Sequence, residues 1–115
     1  MESVDEFINP ALLCGIVFLI AGIVTKLFPP KKINYLYGYR TARSMRSLEE
    51  WNYAQKYSAI KMIQIAAFLI LISIIAMLVL SDLKEFNVAS FFIVIISIIY
   101  LVVKTEKALK NKFIN

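Results

Sequence analysis

Gly38, Arg40, Thr41, Ser44, Ser47, Glu49, Glu50 and Trp51 stand within one short stretch and are the residues best equipped for chemistry in this chain. A guanidinium is a planar fork of five donors that matches carboxylate or phosphate, and hydroxyls placed before a helix N-terminus add donors where the helix is electropositive. Glycine admits a positive backbone dihedral. Such a loop can hold an anion. On residue chemistry alone a plainer reading competes with it: Arg40, Arg43 and Arg46 meet acidic lipid headgroups while Trp51 anchors the membrane interface. Catalysis has less to work with. Histidine is absent and Cys14 is the single cysteine, so a disulfide framework, a Cys/His zinc site and every histidine-dependent triad are excluded by counting. No enzyme activity, cofactor or metal is expected.

The elements that must position this loop are membrane helices. Of 115 residues 60% are hydrophobic and 18% charged, with a mean hydropathy of +0.72, far from the roughly half apolar and quarter charged of a soluble domain. The net charge of +5 flanks apolar runs, which suits anionic lipid and removes nucleic acid from the expected partners. The expected fold is all-α: residues 1–115 form one integral membrane domain, with spans at about 10–28, 61–80 and 87–104 and a motif loop at 29–60. Asn9 and Pro10 cap the first span, Pro29 and Pro30 stop it, and it reads as an uncleaved anchor because acidic residues, Glu2, Asp5 and Glu6, precede it. Ser47 and Glu50 fit a capping box in which the Ser47 hydroxyl takes the Glu50 amide and Glu50 reaches back to the Ser47 amide. Nothing breaks the helix from there to Leu80, so its first part, Leu48 to Ile60, should lie at the interface before the second span begins. The third run, Val88 to Val103, is only 16 residues long and needs its flanks and a snorkelling Lys104 to cross.

Lysine and arginine set an expected orientation. The segments before Ala11 and from Ser81 to Asn87 carry one, Lys84, while the insert with its flanks carries eight and the tail four. By the positive-inside rule the N-terminus and second connection face outside, and the insert and C-terminus are cytoplasmic. Small residues mark packing stripes: Ala11, Gly15, Gly22 and Thr25 in the first span, Ala66, Ser73 and Ala76 in the second, Ser90 and Ser97 in the third. The serines are expected to bond backbone rather than to line a conduction path. No Asp or Glu falls inside a span, which argues against a proton-coupled efflux component. Glu50, Tyr53, Tyr57, Lys61 and Gln64 share one helical face, suited to a shallow vestibule, a partner helix or an aromatic belt.

The run Gly38, Arg40, Thr41, Ser44, Ser47, Glu49 and Trp51, preceded by Pro30, Lys32 and Asn34, resembles the signature of the SdpI family of bacterial membrane immunity proteins. In that family a first span ending in prolines leads to Asn, then Gly-x-Arg-Thr, then two spaced hydroxyl residues, then an acidic residue and Trp opening the next helix. Ala42 departs from it, standing where many members have Pro, and Gln55 stands where many have His. The resemblance implies a three-span unit in the bacterial cytoplasmic membrane that gives resistance to a secreted toxic peptide, some members also signalling by holding a transcriptional repressor at the membrane. The partners it implies are the lipid bilayer, the toxic peptide and a cytoplasmic regulator, with homo-oligomerisation left open. Asn34, Gly38, Arg40, Thr41, Ser44, Ser47, Glu49, Glu50 and Trp51 are accordingly the expected partner- or anion-binding loop. A rival reading is a small membrane protein that binds or handles anionic lipid through Arg40, Arg43 and the helix start at Ser47.

Overall fold

The computed structural model describes residues 9–34 and 36–113, so Glu2, Asp5 and Glu6 before the first span lie outside it. Among the described residues the chain forms three α-helices and no strand: α1 (Pro10–Leu27), α2 (Leu48–Val79) and α3 (Lys84–Lys112). The boundaries follow from local chemistry. The Asn9 side chain accepts the Leu12 amide at 2.9 Å and Pro10 occupies the first turn, where its missing N–H costs no bond. The Ser47 hydroxyl oxygen accepts the Glu50 amide at 3.1 Å, as the capping box requires. The Glu50 carboxylate differs from expectation: it takes the Ser47 hydroxyl proton at 3.0 Å instead of the Ser47 amide, while Arg46 one turn back lies 3.9 Å from its other oxygen.

At about 1.5 Å per residue the 18, 32 and 29 residues of α1, α2 and α3 measure roughly 27, 48 and 44 Å. A bilayer core is about 30 Å thick, so α1 just crosses it and the other two overhang. Each of the three is long and apolar enough to span. The overhangs meet at the loop end, where the Tyr53 ring of α2 lies 5.9 Å from the Phe113 ring just beyond α3, edge to face. Helix α3 outruns the apolar stretch because its buried stripe continues past it, through Ser90, Val94, Ser97 and Leu101 to Thr105 and Leu109.

Helices α1 and α2 pack through small residues. The buried residues of α1 are Ala11, Gly15, Gly22 and Thr25. A Cβ on Gly15 would stand 2.9 Å from Ile70 Cγ1, and one on Gly22 would stand 2.8 Å from Ile63 Cγ1 and 3.1 Å from the Ala59 carbonyl oxygen. The two backbones approach closely because those carbons are missing, which is the usual route to helix association where lipid removes the hydrophobic drive. Ser73, Ser90 and Ser97 donate to the backbone of their own helices, at the Leu69, Asn87 and Ile93 carbonyls, as expected of serines in a span. Ile20, Leu71, Leu78, Ile96 and Ile99 are more than half exposed on the outside, a surface made for hydrocarbon.

Candidate functional site

Among its described residues the connection from Phe28 to Ser47 runs without helix or strand, yet it is tied down at almost every turn. The two prolines that end α1 leave carbonyls that need donors. Trp51 Nε1–H supplies one, donating to the Pro30 oxygen at 2.6 Å, and the Tyr37 hydroxyl supplies another, donating to the Phe28 oxygen at 2.7 Å. Trp51 is fully buried, so it is a post inside the bundle and not the interfacial anchor that its type suggested. Asn34 shapes the next turn: its side-chain oxygen accepts the Leu36 and Tyr37 amides at 2.8 and 2.9 Å, and its amide donates to the Lys32 oxygen.

The chain then crosses α2 at Gly38. Its φ of +105° lies in the region that side chains avoid, and a Cβ there would stand 2.7 Å from Gln55 Oε1 and 2.9 Å from Pro30 Cγ. Glycine is required twice over. Gln55, 1% exposed, then grips the neighbouring peptide like a strand partner: its oxygen accepts the Tyr39 amide at 2.7 Å and its amide donates to the Tyr39 carbonyl at 2.8 Å. A buried primary amide has few better uses, since both halves are satisfied and so are both backbone groups.

Beyond Gly38 the hydroxyls close a single turn of their own. The Ser44 oxygen accepts the Thr41 amide at 2.8 Å, the Thr41 hydroxyl oxygen accepts the Ser44 amide at 3.1 Å, and Met45 N–H reaches the Thr41 carbonyl at 3.1 Å. The Thr41 hydroxyl proton goes to Glu106 Oε2 in α3 at 2.8 Å, and the Tyr39 hydroxyl donates to the same oxygen at 2.8 Å. Arg43 Nε stands 3.8 Å from the other carboxylate oxygen. Burial and the adjacent Glu106 carboxylate hold the Tyr39 phenol well above its ordinary range, so it remains a proton donor at any physiological pH. One carboxylate on α3 therefore gathers three side chains of the loop.

The expected site residues thus divide. Gly38, Thr41, Ser44 and Trp51 come together around Gln55 and Glu106. Ser47, Glu49 and Glu50 form the start of α2, with Glu49 exposed in the first turn, where a carboxylate favours the helix dipole. Asn34 builds its turn apart from both, and Arg40 is exposed beside Thr41. Within the Glu50 to Gln64 face, Tyr53 and Tyr57 stack at 6.0 Å, and the Lys112 and Lys61 ammoniums lie over their rings. Gln55 and Glu106 do the central holding and were not expected to. Their signals were present: Gln55 was a departure from the resembled pattern, and Glu106 is the lone carboxylate in a tail carrying Lys104, Lys107, Lys110 and Lys112.

Residues Tyr37 to Thr41 roof a cleft of about 730 Å³. Helix α1 lines one side with Val17, Ile20, Val24 and Thr25, α3 the other with Leu101 and Val102, and α2 contributes Ser58 and Met62. Val17, Ile20, Val24 and Val102 are all exposed, so the cleft opens sideways, toward lipid. Among the described residues no group of histidine, cysteine or carboxylates is placed to hold a metal.

Comparison with known proteins converges on the same stretch. The sequence model of the SdpI/YfhL protein family matches residues 31–112, from just after the prolines to the end of α3. A Bacillus subtilis (strain 168) protein named "Uncharacterized protein YfhL" is 58% identical over 52 residues, which cover 45% of this chain and 47% of that protein. The match thus spans about half the length of that curated relative. No solved structure matches the chain.

Proposed function

The chain belongs to the SdpI/YfhL protein family, and on that premise we propose that it is a membrane immunity protein, protecting the bacterium that carries it against a secreted toxic peptide without catalysing a reaction. The loop faces the cytoplasm in this reading, in keeping with the excess of lysine and arginine at that end. A peptide toxin reaches such a protein from the outside or from within the bilayer, and so meets the spans before it meets the loop.

The observation that carries the reading is where the motif side chains are spent. Gly38 and Trp51 fasten the loop to α2, Thr41 fastens it to Glu106 of α3, and Ser44 closes the turn between them, so that in this reading the loop sets how far α3 stands from α1. A cytoplasmic motif then governs a surface that opens sideways into the membrane. This supplies a physical route from the loop to an external peptide: the loop holds the spans in the arrangement that the peptide meets. In this reading Arg40, exposed at the edge of the roof, takes part in the contact with the partner.

The test is survival of a sensitive bacterium expressing the protein and challenged with peptide fractions secreted by the native host and its competitors. Wild type should protect. Glu106→Gln and Arg40→Ala should lose protection at unchanged membrane level, the first by loosening the loop and the second by removing the contact. Protection by neither wild type nor variants, against fractions that kill the unprotected strain, would remove the immunity reading.

A further inference from the structure

Phe28, Ile33 and Leu36 stand exposed at the loop end of the bundle, and Leu36, at 89%, is the most exposed large apolar residue among those described. A single exposed leucine is ordinary on a protein surface, but this one is carried by a built turn. The Asn34 side-chain oxygen accepts the Leu36 and Tyr37 amides, and its amide donates to the Lys32 carbonyl. The Tyr37 hydroxyl then returns to the Phe28 carbonyl at 2.7 Å, so the turn is held beside the end of α1.

The helices give the depth at which it is held. Gly22 lies against Ala59 and Ile63, so α1 passes the level of Lys61 near Gly22 and ends at Leu27, about 7.5 Å further on. Lys61 on α2 and Lys104 on α3 close the apolar runs of those helices. Beyond the hydrocarbon the headgroup layer is about 5–7 Å thick, so the end of α1 and the turn tied to it fall within that layer. Tyr37 and Gly38, the next residues of the loop, border the same cleft as Val24 of α1 and Val102 of α3, which belong to the spans. Val24, Leu27 and Phe28 are exposed at helical spacing, so the lipid-facing side of α1 continues to the turn without a break.

We propose that the turn built by Asn34 anchors the loop to the surface of the bilayer that surrounds the spans, with the Ile33 and Leu36 side chains at the boundary between headgroups and acyl chains. Burying them there removes apolar surface from water, and the exposed ammoniums of Lys26, Lys31 and Lys32 meet phosphates of the same layer. The loop is then gripped from two sides, by Gln55 and Glu106 within the bundle and by lipid outside it. This anchor goes beyond the immunity reading and is tested without a toxin.

A nitroxide is placed at Leu36→Cys in a Cys14→Ala background, and the protein is reconstituted in nanodiscs of phosphatidylglycerol and phosphatidylcholine. Its relaxation is compared under oxygen, which concentrates in hydrocarbon, and under a water-soluble nickel complex. Leu71→Cys on the outer face of α2 and Asn111→Cys near the end of α3 mark lipid and water. Leu36→Cys should favour oxygen, as Leu71→Cys does, and Asn34→Ala, which frees the turn, should reduce that preference. A label at Leu36→Cys as open to nickel as Asn111→Cys would place the turn in water, and low access to both reagents would show that protein, such as a second copy, covers it. An oxygen preference unchanged by Asn34→Ala would show that the label seeks lipid without the turn. Each of these three results would overturn the proposal.

Discussion

Gly15 and Gly22 bring α1 against α2 by removing the carbons that would keep the backbones apart. Helix α3 is held differently: a stripe of serines and leucines runs down it, and at the loop end Glu106 gathers Tyr39, Thr41 and Arg43. The first contact is steric and close to all-or-none, because an added Cβ meets main chain as well as side chain. The second is a set of polar bonds, each worth about 1 kcal/mol net in water-accessible surroundings and each breakable alone. A bundle built this way has a rigid pair and a third helix whose position depends on a loop. That suits the proposed function, in which the surface a peptide meets lies between α1 and α3.

The difference can be probed from both sides, beginning with the largest effect. Gly22→Val should split the α1–α2 pair, since the new carbons fall on Ile63 and the Ala59 carbonyl; a loss of about 3 kcal/mol, at the upper end for overpacking, should appear in thermal unfolding followed by circular dichroism in detergent. Gln55→Ala should cost about 2 kcal/mol by the same measurement, because it leaves the Tyr39 amide and carbonyl without the partner that closes them. It should also raise hydrogen exchange at Gly38 to Thr41 while the α1–α2 pair stays protected. Glu106→Gln keeps the shape and an acceptor but discharges the group; about 1 kcal/mol is expected, with faster exchange confined to the loop and the end of α3. Arg46→Ala removes a 3.9 Å ion pair in which the arginine is exposed and Glu50 is buried; the contact is long and carries no hydrogen bond, so stability should shift by less than about 1 kcal/mol. A Gln55→Ala effect as small as that of Arg46→Ala would erase the distinction between a structural grip and a long ion pair.

The steric half of the molecule was readable in the sequence. Ala11, Gly15, Gly22 and Thr25 recur on one face of an apolar run, and periodicity of that kind survives without knowledge of the partner helix. The Asn9 and Ser47 caps and the glycine at position 38 were readable for the same reason, since each depends on neighbours within a few residues. The polar half was not. Tyr39 and Thr41 meet a carboxylate 67 and 65 residues away, and Gln55 closes on a peptide 16 residues before it. Local chemistry marks these groups as able to bond but does not say with whom. The hydroxyls of Thr41, Ser44 and Ser47 show the consequence. Their types suggested anion capture, and the fold spends them on a turn, a helix start and Glu106. Trp51 shows it again, because a tryptophan near a membrane surface reads as a belt residue until the Pro30 carbonyl that accepts its indole N–H is known.

The claim that the loop sets the position of α3 can be measured as a distance. Spin labels at Lys26→Cys, at the end of α1, and Lys107→Cys, on the exposed side of α3, in a Cys14→Ala background, report the α1–α3 separation by pulsed electron resonance in lipid nanodiscs. A single narrow distribution is expected for this parent, and a broader and longer one once Thr41→Val and Glu106→Ala remove the bonds between loop and helix. Distributions that coincide would contradict the account, because α3 would then be held without the loop.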